Sequence, residues 1–163
     1  MNHTQQFVNS YSTAEDRQRI VFAWNGKHAE EFHDANDEFR QQVLALVLAD
    51  PAVVPIELVR DLFDAETAMA KEAWGVNTEA VRALTRELLT RGGPAFVEDF
   101  LIGKIGRGMD AYCAAYFDCP RELAEKLLAE VERRLADAEG QRRALLETGT
   151  RIFRDWIVRT TDR

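Results

Sequence analysis

The sequence predicts an all-α fold, a single domain of seven or eight helices, and three observations support this prediction. Apolar residues recur every three or four positions along most of the chain, which is the period of a helix with one buried face. Residues that start or end helices flank these segments, as Pro55 and Gly75 do around the clearest one. The connections are short, so consecutive helices are expected to pack as antiparallel neighbours.

The two ends of the chain differ from its middle. Residues 1–12 are polar and aperiodic, and we predict that they form a flexible arm. Residues 13–158 carry the helical pattern and are predicted to form the single domain. No packed pattern follows Val158, so residues 159–163 are predicted to be a C-terminal tail.

The segment after the arm has two interpretations. Ser12 and Glu15 have the spacing of a capping box, which predicts a helix from Thr13 to Asn25-Gly26. The alternative is a hairpin, because the residues before Asn25 are β-prone and Asn-Gly favours a tight turn. The residues after the turn form a poor strand, so the helix is the interpretation that we adopt.

Later segments continue the helical pattern, with glycine or proline at their ends. Gly103, Gly106 and Gly108 fall close together, which predicts a break near Gly106–Gly108. The piece after this break, Met109–Phe117, is apolar nearly all round and is expected to be central. The predicted helices are 27–49 with a break near 34–37, 55–74, 78–91, a segment from Pro94 to the glycines, 109–117, and two that follow Asp118 and Gly140.

Two of these helices suggest the kind of stack. Residues 55–74, the turn AKEAWG and the helix TEAVRALTRELL together resemble one unit of a HEAT-like helical repeat. The resemblance covers about a fifth of the chain and implies a curved helical stack, as in solenoids of paired helices, instead of a symmetric four-helix bundle.

Charge and composition exclude several classes of function. The net charge of −7 argues against a general nucleic-acid binder and against docking on an anionic membrane, since both need a basic face. A basic partner is compatible with it. The longest apolar run, Val43–Ala49, is too short to span a bilayer, and the first residues do not resemble a signal peptide. With only two cysteines, the sequence predicts a reduced, cytoplasmic protein without a cofactor.

Glu66 is the most informative single residue, because it projects from the middle of the apolar face of helix 55–74. A carboxylate in such a place must be neutral, paired or next to a cavity. We favour an ion pair with Arg82, Arg86 or Lys104. The alternative is a ligand pocket between helices, lined by Glu66, Trp74, Phe100, Tyr112 and Tyr116.

Other candidate sites are weaker. Lys104 and Arg107 lie among glycines and would suit a phosphate, but the phosphate-loop spacing and a preceding strand are lacking. His28 and His33 are five residues apart, which is the wrong spacing for a helical metal site, so no metal is predicted. Cys113 and Cys119 are expected to be buried, inert thiols.

The function favoured by the sequence is binding to another protein. Glu57, Asp61 and Asp64 are spaced to form an acidic stripe on helix 55–74, opposite its apolar face. Such a stripe suits a basic partner. We therefore predict a non-enzymatic, acidic protein-binding module, such as an immunity protein, a toxin inhibitor or an adaptor. The alternatives are a small-ligand-binding protein or unrecognised enzyme with a pocket around Glu66, and a structural unit that forms a homo-oligomer.

Overall fold

The computed structural model describes residues 3–73 and 75–161, whose regular secondary structure is helical apart from one isolated β-bridge. The all-α prediction is confirmed. Nine α-helices occur in the described residues, because the N-terminal region contributes two short ones. They are α1 His3–Ser10, α2 Ala14–Gln18, α3 Asp37–Ala49, α4 Ile56–Glu72, α5 Thr78–Arg91, α6 Val97–Gly106, α7 Gly108–Ala114, α8 Arg121–Leu135 and α9 Gly140–Thr161.

The N-terminal segment is part of the folded structure, and the prediction of a flexible arm over residues 1–12 is wrong for its described part. Phe7 and Tyr11 lie one turn apart and are both buried. The Phe7 ring packs edge-on against Phe39 of α3, with 5.0 Å between ring centroids. At the other end, α9 continues to Thr161, so the predicted tail begins as helix.

Residues 19–36 form a hairpin-like loop, and the predicted helix from Thr13 to Asn25-Gly26 is wrong beyond Gln18. Trp24 and Asp34 form the antiparallel bridge, and the backbone N–H of Asn25 donates to the carbonyl of His33 at 3.0 Å. Gly26 has a φ of 78°, which the tight turn requires. The hairpin alternative is therefore closer to the structure, and the next α-helix begins at Asp37 instead of Lys27.

The remaining helices follow their local signals closely. α5 spans Thr78–Arg91 as predicted, and the Asn77 side chain accepts the N–H of Ala80 as its cap. α8 packs along α9, and α4 packs on α5. A HEAT-like relationship of α4 and α5 stays a prediction. No helix in the described stretches is long and apolar enough to cross a membrane.

The predicted break near Gly106–Gly108 separates α6 from α7, but α7 is not central. Only Ala111 and Ala114 of α7 are buried, because its buried face consists of small residues. Met109 is 72% exposed and Tyr112 is 40% exposed. The exposed side of α7 lies beside the C-terminal part of α9, where clefts open between the two helices.

Candidate partner-binding surface

A buried charge network joins α3, α4 and the loop 19–36. The Arg40 side chain is fully buried, and its Nε donates to Glu66 Oε1 at 2.8 Å. Its Nη1 lies 2.7 Å from Oδ2 of the buried Asp34, and its Nη2 lies 3.1 Å from Asp37 Oδ1. One guanidinium thus meets three carboxylates, two of which are inaccessible to water.

Glu66 is therefore held in an ion pair, but its partner is none of the three predicted residues. Arg40 comes from the preceding helix, whereas Arg82 and Arg86 lie on the following one. Burial raises the pKa of Glu66, and the hydrogen bond and charge of Arg40 oppose this rise. Gln41 also donates to Glu66 Oε1, at 3.2 Å.

The network fixes the base of the hairpin-like loop. Asp34 Oδ1 accepts the backbone N–H groups of Ala23, at 3.0 Å, and of Asn36, at 3.1 Å. The Asn36 amide donates to the carbonyls of Gln18 and Val21, both at 2.9 Å. Because Asp34 is also tied to Arg40, both sides of the loop are connected to the helical core through buried polar contacts.

Three rings project from this loop and form what we call the aromatic ladder: Phe22, Trp24 and Phe32. The ring planes of Phe22 and Trp24 differ by 11° and those of Phe22 and Phe32 by 23°, with centroids 6.3 and 6.2 Å apart. All three are partly exposed and lie outside the hydrophobic core. Large stacked rings in this position are unusual for a loop that only connects two helices.

Local contacts hold the loop that carries the ladder. The Trp24 indole N–H donates to the carbonyl of Lys27 at 2.7 Å, and the Asn25 amide donates to the carbonyl of Glu31 at 2.7 Å. Lys27 and Glu31 form an ion pair across the tip. Ala29 adopts a φ of 54°, a left-handed conformation that costs about 1 kcal/mol for a residue with a side chain. Strain of this kind often accompanies functional sites.

The ladder continues into a neighbouring cleft. The His28 ring lies 4.9 Å from the Trp24 ring and lines a cleft of about 390 Å³ between α4 and α7. The exposed Met109 lines the same cleft. Glu30 at the loop tip and Asp110 beside the cleft are exposed, and neither forms an ion pair with a described residue. Lys71 and Arg107 also line the cleft, but they pair with Glu72 and Asp64, so the unpaired charges described at this surface are negative.

The predicted acidic stripe is not a continuous exposed surface. Asp61 is only 3% exposed, accepts the Tyr11 hydroxyl at 2.6 Å and accepts Arg60 Nε at 2.9 Å. The expectation that it faces solvent is therefore wrong, because Tyr11, which follows α1, Arg17 of α2 and Arg60 surround it. Glu57 is exposed, as predicted from its position at the start of the helix.

Asp64 is also neutralised within the chain. Its two oxygens lie 2.8 Å from Arg107 Nη2 and 3.4 Å from Arg17 Nη2. The helical pattern of α4 places neither arginine, since one comes from α2 and the other from the link between α6 and α7. The role of Glu57, Asp61 and Asp64 in partner binding stays a prediction, but two of them already have cationic partners.

The described residues that were predicted to line a pocket around Glu66 lie in separate parts of the structure. Phe100 is fully buried in the core, 5.7 Å from the ring of Trp156. Tyr112 and Tyr116 line clefts between α7 and α9, whereas Glu66 lies in the buried network with Arg40. Trp74 lies outside the described residues.

The remaining predicted site residues are also separated. Lys104 is directed at the carbonyls of Tyr112 and Ala115, while Arg107 pairs with Asp64, so the two cations do not form one phosphate site. No group of three acidic, histidine or cysteine side chains in the described residues is placed to hold a metal ion.

The two thiols occupy different environments. Cys119 is buried, and burial raises its pKa to about 12. Cys113 is exposed, so the expectation of a buried thiol is wrong for that residue. The difference follows from α7, whose outer face is open.

Sequence reasoning missed Arg40, although a signal for it was present. Arg40 shares a helical face with Val43, Leu44 and Val47, which are all buried. A cation on the apolar face of one helix and Glu66 on that of the next predict a buried pair. The aromatic ladder was missed because its rings were assigned to a helix.

Comparisons with protein-family models, with curated proteins and with solved structures returned no match.

Proposed function

We propose that this protein is a non-enzymatic binding module whose aromatic ladder and adjoining cleft recognise a basic protein surface rich in arginine. The observation that supports it is the ladder itself: three stacked, partly exposed rings outside the core, on a loop anchored by the Arg40 network. Immunity proteins, toxin inhibitors and adaptors act in this way, by surface complementarity without chemistry.

Aromatic side chains on an anchored loop suit a binding surface. Tryptophan and arginine are the residues that most often dominate interface energies. The Trp24 indole N–H is already bonded to the Lys27 carbonyl, so its ring is held in place before a partner arrives. Binding then loses little side-chain entropy, which favours affinity.

Charge supports a basic partner. Glu30 and Asp110 at this surface have no cation within the described chain, and the net charge is −7. An arginine can stack on the face of a tryptophan or phenylalanine ring and pair with a carboxylate at the same time. The chain already contains the stacking part of such a contact, since the Arg19 guanidinium lies 4.4 Å from the centroid of the Phe39 ring.

A peptide titration tests the proposal. The probe is a ten-residue Arg-Gly repeat, compared with Lys-Gly and Glu-Gly repeats, followed by amide NMR shifts at low salt. We expect saturable shifts in residues 22–33 with the arginine peptide, weaker shifts with the lysine peptide and none with the glutamate peptide. Trp24→Ala should weaken binding at least tenfold, and Glu30→Gln by about threefold.

Matched controls lie elsewhere on the surface. Val53→Ala removes an apolar side chain that is 75% exposed, and Glu15→Gln removes an exposed carboxylate on α2, and neither should change the affinity by more than twofold. Absence of saturable shifts at 1 mM peptide would contradict the proposal. A homodimer that Trp24→Ala dissociates would also contradict it, because the ladder would then bind a second copy.

A further inference from the structure

Independently of the proposed function, we propose that the groove between the C-terminal part of α9 and the segment from α7 to Cys119 binds a small aromatic monocarboxylate. Two clefts form this groove, with volumes of about 430 and 230 Å³. They meet at Tyr116, Trp156 and Arg159, which line both. None of the residues that line this groove belongs to the aromatic ladder or its adjoining cleft.

The first cation of the groove, Lys104, is buried and pairs with no carboxylate of residues 3–73 or 75–161. Lys104 is 4% exposed, and its Nζ donates to the carbonyls of Tyr112 at 2.6 Å and Ala115 at 2.9 Å. The same Nζ lies 4.2 Å from the centroid of the Tyr112 ring. These contacts cap the C-terminal end of α7 but bring no negative charge, and an ammonium has a third N–H to donate.

The second cation is also unneutralised. Arg159 is exposed at the end of α9 and forms no ion pair with a residue in the described ranges. It is close enough that its charge contributes to lowering the pKa of Lys104, after the larger effect of burial. Two cations that repel each other favour the binding of an anion between them.

The other side chains that line the groove indicate which chemical groups the ligand carries besides its negative charge. The Tyr116 ring meets Trp156 edge-on, with 5.7 Å between their centroids, and Phe117 lines the larger cleft beside them. Such rings favour a planar apolar group. Asp118 and Asp155 also line the groove and repel any anion, but they repel a multiply charged phosphate more strongly than a single carboxylate. A single carboxylate, held by the Arg159 guanidinium in a two-point contact, fits this balance.

Calorimetric titration with 2-naphthoate tests this inference. We expect 2-naphthoate to bind the full chain with a Kd below 1 mM, and at least tenfold more tightly than its neutral amide, 2-naphthamide. Inorganic phosphate should bind more weakly than 2-naphthoate. Arg159→Gln should weaken 2-naphthoate binding about tenfold, while Arg151→Gln, two turns earlier on α9, should leave it within twofold.

Several results would overturn the inference. One is equal affinity for 2-naphthoate and 2-naphthamide, since the cations would then play no part. Tighter binding of inorganic phosphate than of 2-naphthoate would show that the ligand needs no aromatic group. Absence of binding at 2 mM 2-naphthoate would show that the groove is not a binding site for aromatic carboxylates. Because Arg159 is exposed, its variant is expected to fold, and an unchanged affinity in folded Arg159→Gln would contradict the assignment.

Discussion

Two buried cations, Arg40 and Lys104, differ in the groups that surround them. Arg40 meets the carboxylates of Asp34, Asp37 and Glu66, which more than neutralise its charge. Lys104 meets only two carbonyls and a ring. In the first region the cation is fully paired with carboxylates, and the pairing fixes a loop. The second, among the described residues, has no carboxylate that pairs with Lys104 and lies beside an open groove, so it is the better place for a small ligand.

The largest expected effect comes from Arg40→Met. The substitution leaves Asp34 and Glu66 buried without a cation, which is expected to cost about 3–5 kcal/mol of unfolding free energy. Urea unfolding followed by circular dichroism measures this loss. Combining Arg40→Met with Glu66→Gln should recover part of it, because one uncompensated charge is removed.

Arg133→Met is the control, since Arg133 is exposed and its partner Glu130 keeps a second arginine, Arg134, so its loss should change stability little. If Arg40→Met unfolds at nearly the wild-type urea concentration, the network does not hold the loop, and the comparison with Lys104 fails.

Lys104→Met should have a smaller effect. It leaves two carbonyls without a donor but no buried charge, so the expected loss is about 1–2 kcal/mol. The same urea measurement applies, with the exposed Lys126→Met as its control. A loss as large as that for Arg40→Met would show that both cations are structural to the same degree.

The pH dependence of stability separates the regions further. Burial lowers the pKa of Lys104 to about 8, from 10.5 in the unfolded chain. Between these values the unfolded chain holds a proton that the folded chain has lost, so stability should rise with pH by about 3 kcal/mol. Above pH 10 stability should fall, because burial and Asp61 raise the pKa of Tyr11.

Chemical unfolding between pH 7 and 11 tests both directions. Lys104→Met should remove the rise between pH 8 and 10, and Tyr11→Phe should weaken the fall above pH 10. If stability still rises between pH 8 and 10 in the Lys104→Met variant, the rise comes from the titration of another group.

The smallest expected effect concerns the loop that Arg40 anchors. Ala29→Gly relieves the left-handed backbone but adds freedom to the unfolded chain, so stability should increase by at most about 0.5 kcal/mol. Gly26→Ala is the matched variant, since φ is 78° there, and it should destabilise by about 1 kcal/mol. Thermal unfolding compares the two. The two variants are expected to change stability in opposite directions. Changes in the same direction would contradict a loop held in one conformation.

Local signals explain which helices were predictable. α5 matches its predicted bounds because Asn77 and the residues after Arg91 act within a few positions of the ends. The break between α6 and α7 follows from glycines in the same way. Residues 19–36 were not predictable as a helix or a hairpin, because their outcome depends on Asp34 meeting Arg40 of the next helix.

The candidate sites show the same limit. The position of Glu66 on an apolar face predicts a buried pair, and the structure contains one. The predicted partner of Glu66 was wrong because the apolar pattern of a helix shows which side chains face the core, but not which helix packs against them. Asp61 was expected to be exposed because α1 was not predicted, and α1 leads into the Tyr11 that binds it. The groove was missed because α7 looks apolar all round, whereas its buried face needs only two alanines.

The contact between Tyr11 and Asp61 spans 50 residues, and that between Arg40 and Glu66 spans 26. During synthesis, the first 36 residues are made before α4, which carries the Asp61 and Glu66 carboxylates. The Arg40 network that fixes the loop of the aromatic ladder is complete only once Glu66 of α4 has met Arg40. A nascent chain that ends before α4 is expected to lack the proposed partner recognition, so the proposed binding would begin only late in translation.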